Sequence, residues 1–111
     1  MSAKRQREAR EYARLRAEFL KAHPFCQVWL ARHRVHEEHA RVLRVVTAIG
    51  AHGVPWPVPS ADIPRSTDIH HKAGRTGSNY LDTSTWMAVS RAAHDWIHTH
   101  PKEARARGWL V

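Results

Sequence analysis

Apolar residues along this 111-residue chain change their period partway through, and the change divides it in two. From Ser2 to about Ala22, Tyr12, Leu15, Phe19 and Ala22 recur at steps of three and four, which predicts one helix with a narrow apolar stripe. His23-Pro24 ends it, because proline disfavours helical geometry in the residue before it. Phe25 to about His33 reads as a second, short helix with Phe25, Val28 and Trp29 turned inward. His36 to Ile49 reads as a third, with Val35, His39, Val42, Val46 and Ile49 near one face. Its β-branched run Val42-Leu43-Arg44-Val45-Val46-Thr47 is the competing strand reading. Gly50, Gly53, Pro55, Pro57 and Pro59 then predict a stiff, irregular linker over 50–65.

From Ser66 the texture differs. Thr67-Asp68-Ile69-His70-His71 predicts a short strand, and Lys72 to Asn79 is a loop rich in turn formers. Trp86-Met87-Ala88-Val89 predicts a second strand. Ser90 is a good N-cap for a helix running to about Thr99. Pro101 suits the first turn of a final helix to Arg107, with Gly108 as its C′ residue. The tail Trp109-Leu110-Val111 is expected to fold back on the core. The fold class expected is α+β and mostly helical. It is one domain, with an all-helical part over 1–49, a Pro/Gly linker over 50–65, and strand, loop, strand and helices over 66–111.

Charge narrows the partners. Eighteen Lys+Arg against ten Asp+Glu give a formal charge of +8, and a small domain so basic is expected to meet a polyanion. Nucleic acid and anionic membrane both carry the right charge. The apolar stripe of the first helix is too thin for interfacial binding, and no apolar run approaches the roughly 18–20 residues that span a bilayer. No apolar stretch with a cleavage site follows the basic N-terminus, so no signal peptide is expected. Cys26 is the single cysteine, which excludes an internal disulfide and fits a reducing cytoplasm. Lys4, Arg5, Arg7, Arg10, Arg14 and Arg16 form either a solvated helix face or a phosphate-contacting arm.

Chemistry concentrates in the second half. Four of the ten histidines form two pairs: His70-His71 at the end of the first strand, and His94-x-x-x-His98 in the following helix. The helical spacing puts both rings on one face, one turn apart, where they can share a metal ion. Adjacent strand residues point to opposite faces, so His70 and His71 should differ in role. His36, His39 and His52 read as plain surface histidines, His100 as a neighbour of the Pro101 turn, and Trp86, Trp96 and Trp109 as core. A lone i, i+4 histidine pair is usually surface decoration. The coupling to His70-His71 in a strand–loop–strand–helix frame is what favours a metal site.

That frame, with Asp68-Ile69-His70-His71, Gly74-Arg75, Leu81-Asp82, Trp86-Met87-Ala88-Val89 and His94-Asp95-Trp96-Ile97-His98-Thr99-His100-Pro101, resembles the HNH endonuclease family and its ββα-metal core. The resemblance covers roughly Thr67 to Trp109, and the histidine set looks like that of colicin-type nucleases within a small phage-type HNH protein. It implies a metal-dependent DNA endonuclease. His70, His94 and His98 would bind one divalent ion (Mn, Ni, Zn or Mg), and His71 would act as general base, with the roles of His70 and His71 interchangeable at this stage. Asp68 becomes an alternative ligand or a partner of a liganding histidine. Arg75 is a phosphate clamp, supported by Lys72 and by Arg5, Arg7, Arg10 and Arg14 on DNA. Three imidazoles suggest that Mn²⁺ or Ni²⁺ serves better than Mg²⁺.

Two departures from the family stand out. The asparagine that relatives carry nine residues before the first helical histidine is Thr85 here, so its bracing role falls to Thr85 or to Asn79. The two Cys-x-x-Cys pairs that clamp a structural zinc in many relatives correspond to Cys26 and Trp29, and to Ser90 and Ala93. One thiolate of four cannot build a tetrahedral zinc site, so no structural zinc is expected, with Trp29, Ala93 and apolar neighbours filling the space. The resemblance further implies a phage- or prophage-encoded protein in the bacterial cytoplasm, working beside terminase or portal components. The alternative is a non-catalytic basic DNA-binding or packaging module that keeps the HNH frame.

Overall fold

A computed structural model describes residues 2–111. The fold is α+β, with two small antiparallel sheets among the helices. Helix α1 (Ala3–Ala22) starts where the Ser2 hydroxyl accepts from the Arg5 amide, and ends at His23 before Pro24. It has no fully buried residue and lies along the outside of a molecule measuring 53 × 31 × 19 Å. Among the described residues, no helix is long and apolar enough to cross a membrane.

Helix α2 (Gln27–His33) closes on Arg34 in the left-handed conformation, φ 54°, and the Val35 amide reaches back to the Leu30 carbonyl. The next stretch corrects the sequence reading. The expected helix over His36 to Ile49 is a short α3 (Glu37–Val42) followed by strand β1 (Val45–Ile49). The β-branched run prevails because a partner strand exists to pair with it. Val46 and Ala48 face inward, whereas Val42, placed on the supposed helical face, is 72% exposed.

That partner corrects the linker as well. Pro55–Pro59 is strand β2, antiparallel to β1, with Val45 opposite Pro59, Thr47 opposite Pro57 and Ile49 opposite Pro55. The Ser60 amide bonds the Arg44 carbonyl and the Gly50 amide bonds the Val54 carbonyl, so hydrogen-bonded pairs fall on even positions of β1. The three prolines therefore occupy the positions whose nitrogens face away from β1, where no donor is needed. They also remove the donors from the outer edge, which blunts it against stray pairing.

Strands β3 (Asp68–His71) and β4 (Trp86–Val89) form the second sheet, with His70 opposite Met87 and His71 opposite Trp86. The Ser90 hydroxyl accepts from the Ala93 amide and opens α4 (Arg91–Thr99), and Pro101 begins α5 (Pro101–Ala106). Gly108, φ 77°, turns the chain so that the Trp109 amide bonds the Ala104 carbonyl and Trp109 returns to the core.

Two apolar clusters result. Phe25, Leu30, Val35, Ala40, Val46, Ala48 and Ile63 surround the first sheet. Val28, Met87, Val89, Ile97, Ala104 and Trp109 join Cys26 around the second. Trp29 packs against both. All four residues of β4 are buried, because α1 reaches one face of this sheet through Phe19 and Tyr12 against Trp86, while Ile97 and Trp109 join Met87 and Val89 in the cluster beneath it. The Gln27 side-chain oxygen accepts from the Ala88 amide at 2.7 Å and ties α2 to β4.

Candidate metal centre

The end of β3 and one face of α4 converge. One ligand atom from each of His70, His94 and His98 lies within 4.8 Å of the others, close enough for the three to hold one metal ion. The α4 backbone sets this geometry. His94 and His98 are one turn apart and share a face, while Ile97, fully buried, anchors the helix beneath them.

Each ring's second nitrogen determines which atom it offers. His70 is buried, and its Nε2 lies 2.6 Å from the Trp109 carbonyl, to which it donates. That leaves the Nδ1 lone pair for the cluster. His94 Nδ1 lies 3.1 Å from an Asp68 carboxylate oxygen, leaving Nε2 for the cluster. Outer partners of this kind fix tautomer and ring orientation in metal sites. Burial pushes the His70 pKa down; the Trp109 carbonyl opposes this, and the neighbouring His94, His98 and Lys72 reinforce it. The ring is held in its neutral, ligating form. Burial pulls the Asp68 carboxyl upward, but hydrogen bonds from His94, Thr67 and Arg91 outweigh it and hold the group below its usual range. A carboxylate anchored on three donors is a partner of His94, and it stands outside the histidine trio.

His71 stands apart from the trio. Its Nε2 lies 3.0 Å from the Tyr12 hydroxyl of α1, and its buried Nδ1 has no partner. The ring is pushed down to about 4 by burial first, then by Arg75 and by His70 and His94, so it is neutral in neutral solution. His70, His71, His94 and His98, together with Ile69, Gly74 and Arg75, line one cavity of about 270 Å³. An open polar groove of about 300 Å³ adjoins it, bordered by Arg16, Arg75 and Arg91. Ile69, Arg75 and His94 line both, and the Arg75 guanidinium lies 5.4 Å from the Tyr12 ring centre.

The residues expected to replace the family asparagine are both occupied elsewhere. The Thr85 hydroxyl donates to the Asp82 carbonyl at 2.8 Å, and only its backbone carbonyl serves the loop, accepting from the Lys72 amide. The Asn79 amide donates to the Ala73 carbonyl at 3.1 Å and braces the turn that carries Gly74 and Arg75. On α1, Arg5, Arg7 and Arg10 are exposed, whereas Arg14 is engaged by Glu11 and Glu18 and is not a free arm for phosphate.

Cys26, Trp29, Ser90 and Ala93 do come together, with Trp29 and Ala93 packed against the apolar cluster that buries Cys26. A cleft of about 300 Å³ remains, bordered also by Arg32, His33 and Trp96. Sequence reasoning missed three contributors: Tyr12, read only as part of an apolar stripe; Arg91, on the exposed side of the helix; and the Trp109 carbonyl. A tyrosine in a stripe otherwise made of Leu, Phe and Ala was the available signal for the first. A backbone carbonyl leaves none.

Comparison with known proteins returns no matching family model, no matching curated protein and no matching solved structure.

Proposed function

We propose that this chain is a divalent-metal-dependent phosphodiesterase. Within that class, the reading best supported is an HNH-type DNA endonuclease of low sequence preference. The observation that carries it is the convergence of His70, His94 and His98 on one point, with a fourth, neutral imidazole lining the same cavity. The donor set fits a borderline cation: three imidazoles, two of them already oriented by outer partners. His70, His94 and His98 would hold it. Bound there, such an ion supplies Lewis-acid stabilisation of charge on the scissile phosphate and the departing oxygen.

The rest belongs to the chain itself. His71 accepts a proton from the attacking water as the water oxygen bonds to phosphorus. The bond from phosphorus to the 3′ oxygen breaks, that oxygen collects a proton from solvent, and His71 returns its own proton to solvent. Arg75 at the cavity mouth, with Arg16 and Arg91 along the groove, offers fixed positive charge to the phosphates on either side. Asp68 keeps His94 in the ligating tautomer.

The test is nicking of supercoiled plasmid over a panel of divalent ions, by the wild type, His71→Ala and His98→Ala. His71→Ala should lose about 10²–10⁴-fold in kcat while still taking up metal in calorimetry. His98→Ala should lose metal uptake and cleavage together. Mn²⁺ or Ni²⁺ should support more turnover than Mg²⁺. Retardation of DNA without cleavage under every ion would replace this reading with that of a non-catalytic DNA-binding module.

A further inference from the structure

Each ring of the trio that is fixed from behind is fixed by its own half of the chain: His70 by Trp109, His94 by Asp68. His71 is the exception. Its outer partner is Tyr12, 59 residues upstream on a helix outside the strand–loop–strand–helix unit. We propose that Tyr12 is a positioning residue. Its hydroxyl oxygen accepts the His71 Nε2–H and so keeps the proton off the buried Nδ1, which makes α1 part of the reacting assembly and not only a charged arm.

The direction of that hydrogen bond follows from what surrounds each nitrogen. If Tyr12 donated to Nε2, the proton of the neutral ring would sit on Nδ1. Nδ1 is buried without an acceptor, and an orphaned buried N–H is the costlier omission. With the proton on Nε2, the Tyr12 oxygen accepts it, and the phenolic hydrogen turns to water, since Tyr12 is only half-buried. The lone pair then lies on Nδ1, on the ring edge away from Tyr12.

Packing holds the tyrosine in place. Its ring stacks on Tyr80, with centroids 4.6 Å apart and planes 7° from parallel, and on His71 at 5.8 Å and 21°. Four and seven residues further along the same helix, Arg16 donates to the Thr67 carbonyl at 2.9 Å and Phe19 meets Trp86. With the Tyr12–His71 bond, these contacts register α1 against both ends of β3 and the start of β4. Neither Thr85 nor Asn79 sends its side chain to His71, so Tyr12 fills the orienting role that those two leave open.

The catalytic half of this inference rests on the nuclease reading; the tautomer half does not. The decisive variant is Tyr12→Phe in the full chain, which keeps the stacking and removes the acceptor. Four quantities are read: kcat and KM for plasmid nicking, the His71 tautomer in long-range ¹H–¹⁵N spectra of metal-free protein, and the melting temperature. The expected result is a fall in kcat of about 10- to 100-fold at unchanged KM. His71 should shift from a single Nε2–H form to a mixture of both tautomers. Val46→Ala, in the apolar cluster of the first sheet to which α1 contributes no residue, should lower the melting temperature and leave kcat and tautomer alone. Wild-type kcat and an unaltered His71 pattern in Tyr12→Phe overturn the proposal. So does a Val46→Ala variant that loses as much kcat as Tyr12→Phe. A wild type that cuts no DNA under any ion, while Tyr12→Phe still releases the tautomer, overturns the nuclease reading and upholds the orienting bond.

Discussion

The molecule contains two hairpins built for opposite ends. In the first, β1 alternates exposed and buried, β2 carries a proline at every second position, and the outer surface is left to solvent. In the second, seven of the eight strand residues are buried, two of them histidines. Burying an imidazole without a partner is costly, so the second hairpin must bring hydrogen-bond acceptors to its histidines from elsewhere. It draws them from α1 and from the chain beyond α5. The first hairpin has no buried polar side chain to satisfy, and it is held to the rest through shared apolar contacts at α2. A structural hairpin can therefore be local, whereas one that carries chemistry must be assembled from the whole chain.

The sharpest way to break this contrast is to damage the floor of the second hairpin. Ile97 is fully buried between His94 and His98 in sequence and belongs to the cluster under β3 and β4. Ile97→Ala should destabilise the fold by about 2–5 kcal/mol, measured by denaturant unfolding. It should also weaken metal uptake, because the two helical rings lose the anchor that sets their height over His70. Unchanged metal affinity at reduced stability would mean that the strand, not the helix floor, organises the trio.

The same contrast explains what could be read from the residues alone. Ser2, Pro24, Ser90, Pro101 and Gly108 each punctuate the chain by local backbone chemistry, and the elements they delimit fall where that chemistry puts them. The strand Trp86–Val89 and the shared face of His94 and His98 were likewise accessible, since helical spacing acts over a few residues, whereas the choice of His70 over His71 as their companion stayed open until the fold placed the two rings. The β1–β2 pair was not. Val45–Ile49 is compatible with helix or strand until Pro55–Pro59 is known to lie beside it, and alternating proline suggests irregular chain unless its nitrogens are known to face outward. For the same reason the Tyr12–His71 bond, spanning 59 residues, leaves only a tyrosine out of place in an apolar stripe, with nothing to name its partner.

An intermediate effect comes from the first hairpin. A methyl group on Gly50 would sit 2.4 Å from the Trp56 ring, which crosses directly over this position. The ring is rigid and packed against the cluster of the first sheet, so it cannot swing clear as a flexible side chain would. Gly50→Ala should cost about 1–3 kcal/mol. If the two hairpins are as separable as their cores suggest, metal binding should remain at the wild-type level in the same protein. A parallel loss of metal affinity would show that strain passes from one sheet to the other through Trp29.

The smallest effect is a gain. Arg34 closes α2 in a left-handed conformation that L residues adopt at a cost, since Cβ crowds the following carbonyl. Glycine has no such crowding, and the Val35 amide bond to Leu30 that the turn permits would be kept. Arg34→Gly should therefore raise stability by about 0.5–1 kcal/mol, read as a higher denaturation midpoint at unchanged slope. Its value lies in where the gain appears. Helix α2 gives Leu30 to the first cluster and Val28 to the second, with Trp29 between them. A tighter α2 should slow amide exchange in β1 and in β3 alike, because both sheets unfold against the same helix. Slowing confined to β1 would instead make the two hairpins independent units, and the metal centre would owe nothing to the front half beyond α1.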